Sequence, residues 1–161
     1  MSDVIAPLIE LVPVDADDER LARLLQLYIH EWSELVPVEI GLDARFRYDK
    51  LPRYRDRESH MALLIVEPIA GRPLGFALAM RDDQQRWHVE EFFVIAGARG
   101  RRIGAIAAQA LFARHPGPWT LTVREENPDA LAFWRRVMLG AEERIEPGAD
   151  GVTRTRLSLA V

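Results

Sequence analysis

A mixed α/β fold, one sheet with helices packed on it, is what this sequence predicts, and three observations carry the expectation. Short apolar runs that suit strands alternate with longer stretches whose apolar residues recur at helical 3 and 4 spacing. Gly, Pro and Asn clusters punctuate the joins. The 161 residues have room for one domain, taken as residues 1–161, and a hydrophobic content of 48% supplies its core.

The elements follow in order. Pro7 to Val14 reads as a strand. Asp15, Asp17, Asp18 and Glu19 then precede Leu21, Leu24, Leu25, Tyr28, Trp32 and Leu35, an amphipathic helix with an acid-rich first turn that Pro37 limits. Residues 37–58 lack periodicity and read as a surface loop with a short helix over Asp43 to Asp49. The runs at 61–66 and 74–80, joined by EPIAGRP, should form an antiparallel hairpin that WHVEEFFV at 87–94 extends. The Ala-rich run from Ile103 suits a buried helix stopped by His115-Pro116-Gly117. Trp119 to Val123 is a strand, and Asn127-Pro128 opens a helix toward Gly140, with Asn as cap and Pro in the first turn. Two last strands, near 141–146 and 152–159, are joined by EPGADG. The order is βααβββαβαββ, without internal repeats.

Composition narrows the chemistry. A net charge of -4, from 21 basic and 25 acidic residues, argues against a broad nucleic-acid-binding face. No cysteine is present, which removes thiol nucleophiles, disulfides and thiolate zinc sites. His30, His60, His88 and His115 are scattered, and none of the four serines sits in GxSxG, so no metal centre or serine hydrolase is expected. No apolar run approaches the ~20 residues of a membrane span, and the start carries no positive charge before its apolar residues, so no membrane association and a cytoplasmic location are expected. All basic residues except Lys50 are arginine, which reads as compositional bias.

One junction concentrates the functional signal: the strand VEEFFV, the loop IAGARGRR and the helix IGAIAAQALF. Such a junction aims free backbone N–H groups and a helix dipole at one point, and Arg99, Arg101 and Arg102 add charge that suits a pyrophosphate. The same residues also fit a tight strand-to-helix turn with solvated arginines. Neither GxxxxGK(S/T) nor GxGxxG is present, so the phosphate loops of nucleotide and dinucleotide sites are excluded.

The run EEFFVIAGARGRRIGAIAAQALF resembles the acetyl-CoA-binding motif of the GNAT N-acetyltransferase superfamily, Q/R-x-x-G-x-G/A. Arg99-Gly100-Arg101-Arg102-Ile103-Gly104 match it, with Arg102 in place of the middle glycine. A second segment, PWTLTVREENPDALAFWRRVMLGAE, resembles the family's next strand and helix through Asn127, Ala130, Phe133, Trp134 and Gly140. The two cover about residues 88–140, and several pieces are similar to small bacterial acetyltransferases. The resemblance implies the GNAT fold, a twisted mixed sheet that opens as a V between its fourth and fifth strands.

It also implies direct transfer of an acetyl group from acetyl-CoA to a primary amine of a small molecule or peptide, with no covalent acyl-enzyme. The backbone of Phe93, Val94 and Ile95 would pair with the pantetheine arm, and Arg99, Gly100, Arg101, Arg102, Ile103 and Gly104 would hold the pyrophosphate. Asn127 would reach the cofactor or simply cap its helix, and Phe133 and Trp134 would pack against it. Trp134 stands where many relatives place a tyrosine that protonates the leaving thiolate. Strand alternation puts Glu90 and His88 on one face, Glu90 as the first choice of base and His88 acting with it or instead. Glu91 takes that place if a bulge changes the register. Tyr28, Glu31, Ser33, Glu34 and Tyr48 are candidates for the acceptor site, with Tyr54, Asp43 and Asp49 beside them. Residues 1–50 carry a net -6 and 51–161 a net +2, which would suit a cationic acceptor at one part of the fold and a polyphosphate at the other. The alternative is a catalytically silent acyl-CoA-binding module, which Arg102 and Trp134 favour. Relatives dimerise through exposed strand ends, and a homodimer is open for this chain.

Overall fold

The computed structural model describes residues 8–161, so Pro7, with which the first strand was expected to begin, lies outside the described residues. The strands are β1 (Glu10–Pro13), β2 (His60–Val66), β3 (Pro73–Arg81), β4 (Trp87–Val94), β5 (Pro118–Arg124), β6 (Glu142–Pro147) and β7 (Thr153–Ala160). The helices are α1 (Glu19–Trp32), α2 (Ile103–Arg114) and α3 (Pro128–Val137). All seven strands join one sheet in the order β1-β2-β3-β4-β5-β7-β6. Only β4 and β5 pair in parallel, and α2 makes the crossover between them.

The sheet is covered on both faces, which explains why β2 and β3 are continuous apolar runs instead of alternating ones. Leu64, Val66, Phe76, Leu78 and Phe93 meet Leu21, Leu24 and Leu25 of α1 on one side. On the other, Leu63, Ala77, Val89, Trp119 and Leu121 meet Leu111 and Phe112 of α2 and Trp134 of α3. Trp119 is fully buried there, and its indole N–H donates to the His115 carbonyl at 2.9 Å. The sheet's far edge is β6, nearly all exposed, because β7 inserts between β5 and β6. Among the described residues, no helix is long and apolar enough to cross a membrane.

One expected element is absent. Residues 43–49 do not form a helix: Ile40 and Phe46 make an isolated antiparallel bridge, and Gly41 N–H donates to the Arg45 carbonyl. Asp43 takes the Arg45 N–H on its own carboxylate, a local bond that competes with helical pairing. This turn is pinned to α1 by Gln26, whose side-chain amide donates to the Phe46 carbonyl at 2.9 Å and accepts its N–H at 2.8 Å. A 3-10 turn, Leu51–Arg55, follows and buries Tyr54.

Gly75 is required by the β3–β4 contact, since a Cβ there would land on the Phe93 carbonyl. Gly75→Val should therefore lower stability by about 1–3 kcal/mol, the usual range for overpacking. Urea unfolding that leaves the midpoint unchanged would show that the strands separate more freely than this contact implies.

Candidate active site

β4 and β5 hold together over three residue pairs only, Trp87 with Trp119, His88 with Thr120 and Val89 with Leu121. Beyond Val89 they diverge. At this point β4 carries an extra residue: Leu78 of β3 lies opposite Glu91 and the next residue, Ala79, lies opposite Val89, leaving Glu90 unpaired. The bulge breaks strict alternation. Glu90 and Glu91 thus both project toward α1, although simple alternation placed them on opposite faces, while Phe92 returns to the α3 side. The fork holds a cavity of about 430 Å³ lined by both glutamates, Tyr28, Tyr48, Lys50 and Trp134 among others.

The two carboxylates are enclosed by donors. Tyr28 Oη donates to Glu91 Oε2 at 2.5 Å and Tyr48 Oη to Glu91 Oε1 at 3.1 Å. Tyr54 Oη donates to Glu90 Oε2 at 2.6 Å. Lys50 Nζ stands 3.7 Å from Glu90 Oε1 and 3.9 Å from Glu91 Oε1, and the two carboxylate side chains are only 9% and 14% exposed. Burial pushes the Glu91 carboxyl above its ordinary range, against the opposing pull of Tyr28 and Lys50. Burial and the adjoining carboxylates raise all three tyrosines far beyond theirs, so they remain donors. His88 is placed differently. Its Nδ1 is 2.8 Å from Thr120 Oγ1 at the root of the fork, and it does not line the cavity. Burial, followed by the charge of Arg156, lowers its pKa.

A second cavity, of about 1040 Å³, continues from the first and shares Tyr28, Trp32, Phe92, Asn127 and Ala130 with it. Its walls include Val94, Gly100, Arg102, Gly104 and Phe133. Here the helix ends differ instructively. Asp18 caps α1 and Asn127 caps α3 with their side chains, but α2 has no side-chain cap and no acid in its first turn. Ile106 N–H, bonded to the Arg102 carbonyl, begins the helical ladder, so the N–H groups of Ile103, Gly104 and Ala105 lack helical partners. An unsatisfied, positive helix end opening into a cavity is suited to an anion.

Arg102 adopts the left-handed conformation, φ 61°, at the motif position where glycine was expected. Gly104 has another reason to be bare: a Cβ would meet Phe133 Cε2 at 3.3 Å, so it sets the approach of α2 to α3. Arg99 leans back over Phe93, 5.6 Å from the ring centre, and donates to the Val94 carbonyl at 2.9 Å and to Glu31 at 2.6 Å. Ile95 N–H is bonded to the Leu74 carbonyl of the neighbouring strand segment and is not free for a ligand. By antiparallel alternation, Phe93 also directs its backbone to β3, whereas Phe92 and Val94 direct theirs into the fork.

The remaining candidates separate. Tyr28 and Tyr48 stand in the first cavity, Tyr28 at the junction with the second. Glu31 and Glu34 line the second cavity, not the first, and Glu31 is engaged by Arg99. Ser33 donates to the His30 carbonyl at the end of α1 and lines neither. Arg101 is exposed and outside both, as are Asp43 and Asp49. Asn127 and Trp134 line the first cavity, with Trp134 packed edge-on to Phe92 and Phe133. The acidity expected from the first fifty residues is therefore supplied at the fork by β4, and those residues contribute tyrosines, Arg47 and Lys50 instead. Sequence reading missed Lys50 and Trp32; the signal for Lys50 was its being the sole lysine.

Against known proteins, residues 21–138 match the acetyltransferase (GNAT) family. No curated protein matches the sequence significantly. Among solved structures, an acetyltransferase from Thermus thermophilus is similar with a TM-score of 0.69 at 19% identity, covering 96% of this chain and 98% of that one. The dodecameric spermidine N-acetyltransferase of Vibrio cholerae gives a TM-score of 0.58 at 11% identity, over 95% and 94% of the chains. A Bacillus anthracis protein described as a streptothricin acetyltransferase, solved with acetyl coenzyme A, gives 0.54 at 15% identity, over 75% and 72%. At these identities the structural likeness carries the fold.

Two expectations arise from the site's geometry. Relieving the left-handed backbone by Arg102→Gly should stabilise the protein by about 1 kcal/mol, read from the urea midpoint. For His88, whose folded pKa is depressed, stability is present above pH ~6.5 and declines as pH falls through the folded value. His88→Gln should flatten that acid-side decline, with a slope change of at most about 1.4 kcal/mol per pH unit.

Proposed function

The chain belongs to the acetyltransferase (GNAT) family, and within it we propose an acetyl-CoA-dependent N-acetyltransferase acting on a primary amine of a small molecule or peptide. The observation that carries this reading is the pair of buried carboxylates, Glu90 and Glu91, facing a cavity that opens directly onto an anion-ready helix end. A module that only bound acyl-CoA would have no use for two enclosed carboxylates at that junction.

When bound, acetyl-CoA supplies an activated acetyl thioester. The residues suited to hold it are the N–H groups of Ile103, Gly104 and Ala105 with Arg102 for phosphate, and the backbone of Phe92 with the Val94 N–H for the arm, the Val94 carbonyl being taken by Arg99. Phe133 and Trp134 give it an apolar wall. An ammonium has no lone pair to donate, so the acceptor must give up a proton before it can attack. Glu91 takes that proton, because burial has brought its carboxyl closer to the operating pH than an ordinary glutamate. Glu90 supplies the second negative charge that attracts the ammonium, and Tyr28, Tyr48 and Tyr54 hold both carboxylates in place. Trp134 cannot donate a proton usefully, but a thiol with pKa near 8.5 leaves tolerably as its thiolate.

Calorimetry with CoA and acetyl-CoA should give micromolar binding, followed by thiol release on a panel of amines. Binding without thiol release from any amine would instead support the silent acyl-CoA-binding module. Glu91→Gln should lower kcat by about 100-fold or more with CoA affinity retained, in keeping with general-base contributions. Glu90→Gln should mainly raise KM for the amine. In the unaltered protein kcat/KM should rise with pH through the elevated Glu91 pKa, and this limb should disappear in Glu91→Gln. An unchanged profile would exclude Glu91 as the base.

A further inference from the structure

We propose that Lys50 is itself an acceptor, so that the protein acetylates its own Lys50 Nζ within one chain; this rests on the acetyltransferase reading above. A base acts on an amine that it can reach, and the Lys50 ammonium is ion-paired with both acids, 3.7 Å from Glu90 and 3.9 Å from Glu91, a short rotation of its flexible stem outside hydrogen-bond distance. Its side chain is 47% exposed and enters the cavity from the rim, on the loop between the Gln26-pinned turn and the 3-10 turn. A long flexible stem tethered at its base presents its nitrogen to the fork at high effective concentration.

No other amine lines the cavity among the described residues. Arg47 and Arg124 also line it, but a guanidinium keeps its charge at any working pH and is not a nucleophile. Lys50 is the sole lysine among 21 basic residues, so the one side-chain amine of the chain lies in the one place where its acetyl-transfer chemistry is assembled.

The step balances. Lys50 Nζ–H gives a proton to Glu91, and the freed lone pair forms an N–C bond to the acetyl carbonyl carbon. The C–S bond breaks and sulfur leaves with the electron pair as thiolate; the second proton that the nitrogen sheds on becoming an amide goes to that thiolate to give CoA thiol, and Glu91 returns its proton to solvent. The product, a neutral acetamide, no longer pairs with Glu90 or Glu91 and stands where an external amine would bind. Self-acetylation therefore slows turnover of other acceptors, and a saturating external amine protects Lys50.

The test incubates the full-length protein, labelled with 15N-lysine, with acetyl-CoA and follows both intact mass and the single Nζ resonance. One added acetyl of about 42 Da at Lys50, with the Nζ signal converting from amine to amide at a rate independent of protein concentration, is expected. Glu91→Gln and Glu90→Gln should each slow it at least tenfold, and Lys50→Arg should abolish it. The proposal is overturned if Lys50 stays unmodified while amines turn over, if the rate scales with protein concentration, or if the glutamate variants are modified as fast as the unaltered protein. Absence of CoA binding by calorimetry would overturn the acetyltransferase reading itself, and this inference with it.

Discussion

The extra residue in β4 at Glu90 is the constraint from which the site follows. A regular β4 would run beside β5 for its whole length, with one glutamate on each face of the sheet. The bulge comes where the parallel pairing stops, after Val89 and Leu121, while β5 stays paired with β7 along its whole length. Two consequences arise together. The strands part to make a cavity, and two neighbouring carboxylates come to share it.

Placing two negative charges in a partly dry cavity is unfavourable unless they are paired and hydrogen-bonded. Three tyrosine hydroxyls and one ammonium answer that demand, and they come from three separate stretches of the first fifty-four residues. Tyr28 is fixed by α1, Tyr54 by the 3-10 turn, and Tyr48 and Lys50 by a loop that Gln26 ties to α1. The apparently unpatterned segment thus closes over the fork because the buried acids need donors that the sheet cannot provide.

The helix end beside the fork follows the opposite logic. Where α1 and α3 satisfy their first N–H groups with Asp18 and Asn127, α2 leaves its own open and tolerates an arginine in a left-handed conformation. Both features cost stability and are found where the chain meets the second cavity.

Most of the elements were legible in the order of residues, because apolar spacing and Pro, Gly and Asn punctuation are local signals. Residues 88–140 likewise carried the family resemblance, since Arg99 to Gly104 and Asn127 to Phe133 are contiguous patterns. Local pattern fails at residues 43–49, where an Asp43 side chain bond defeats a helix. How residues distant in the chain meet depends instead on packing. A bulge of one residue changes the face of a side chain without leaving a mark in composition, and so Glu91 joined Glu90. Lys50 looked like an accident of arginine usage until its loop brought it against both carboxylates, because a contact across forty residues depends on packing and not on pattern.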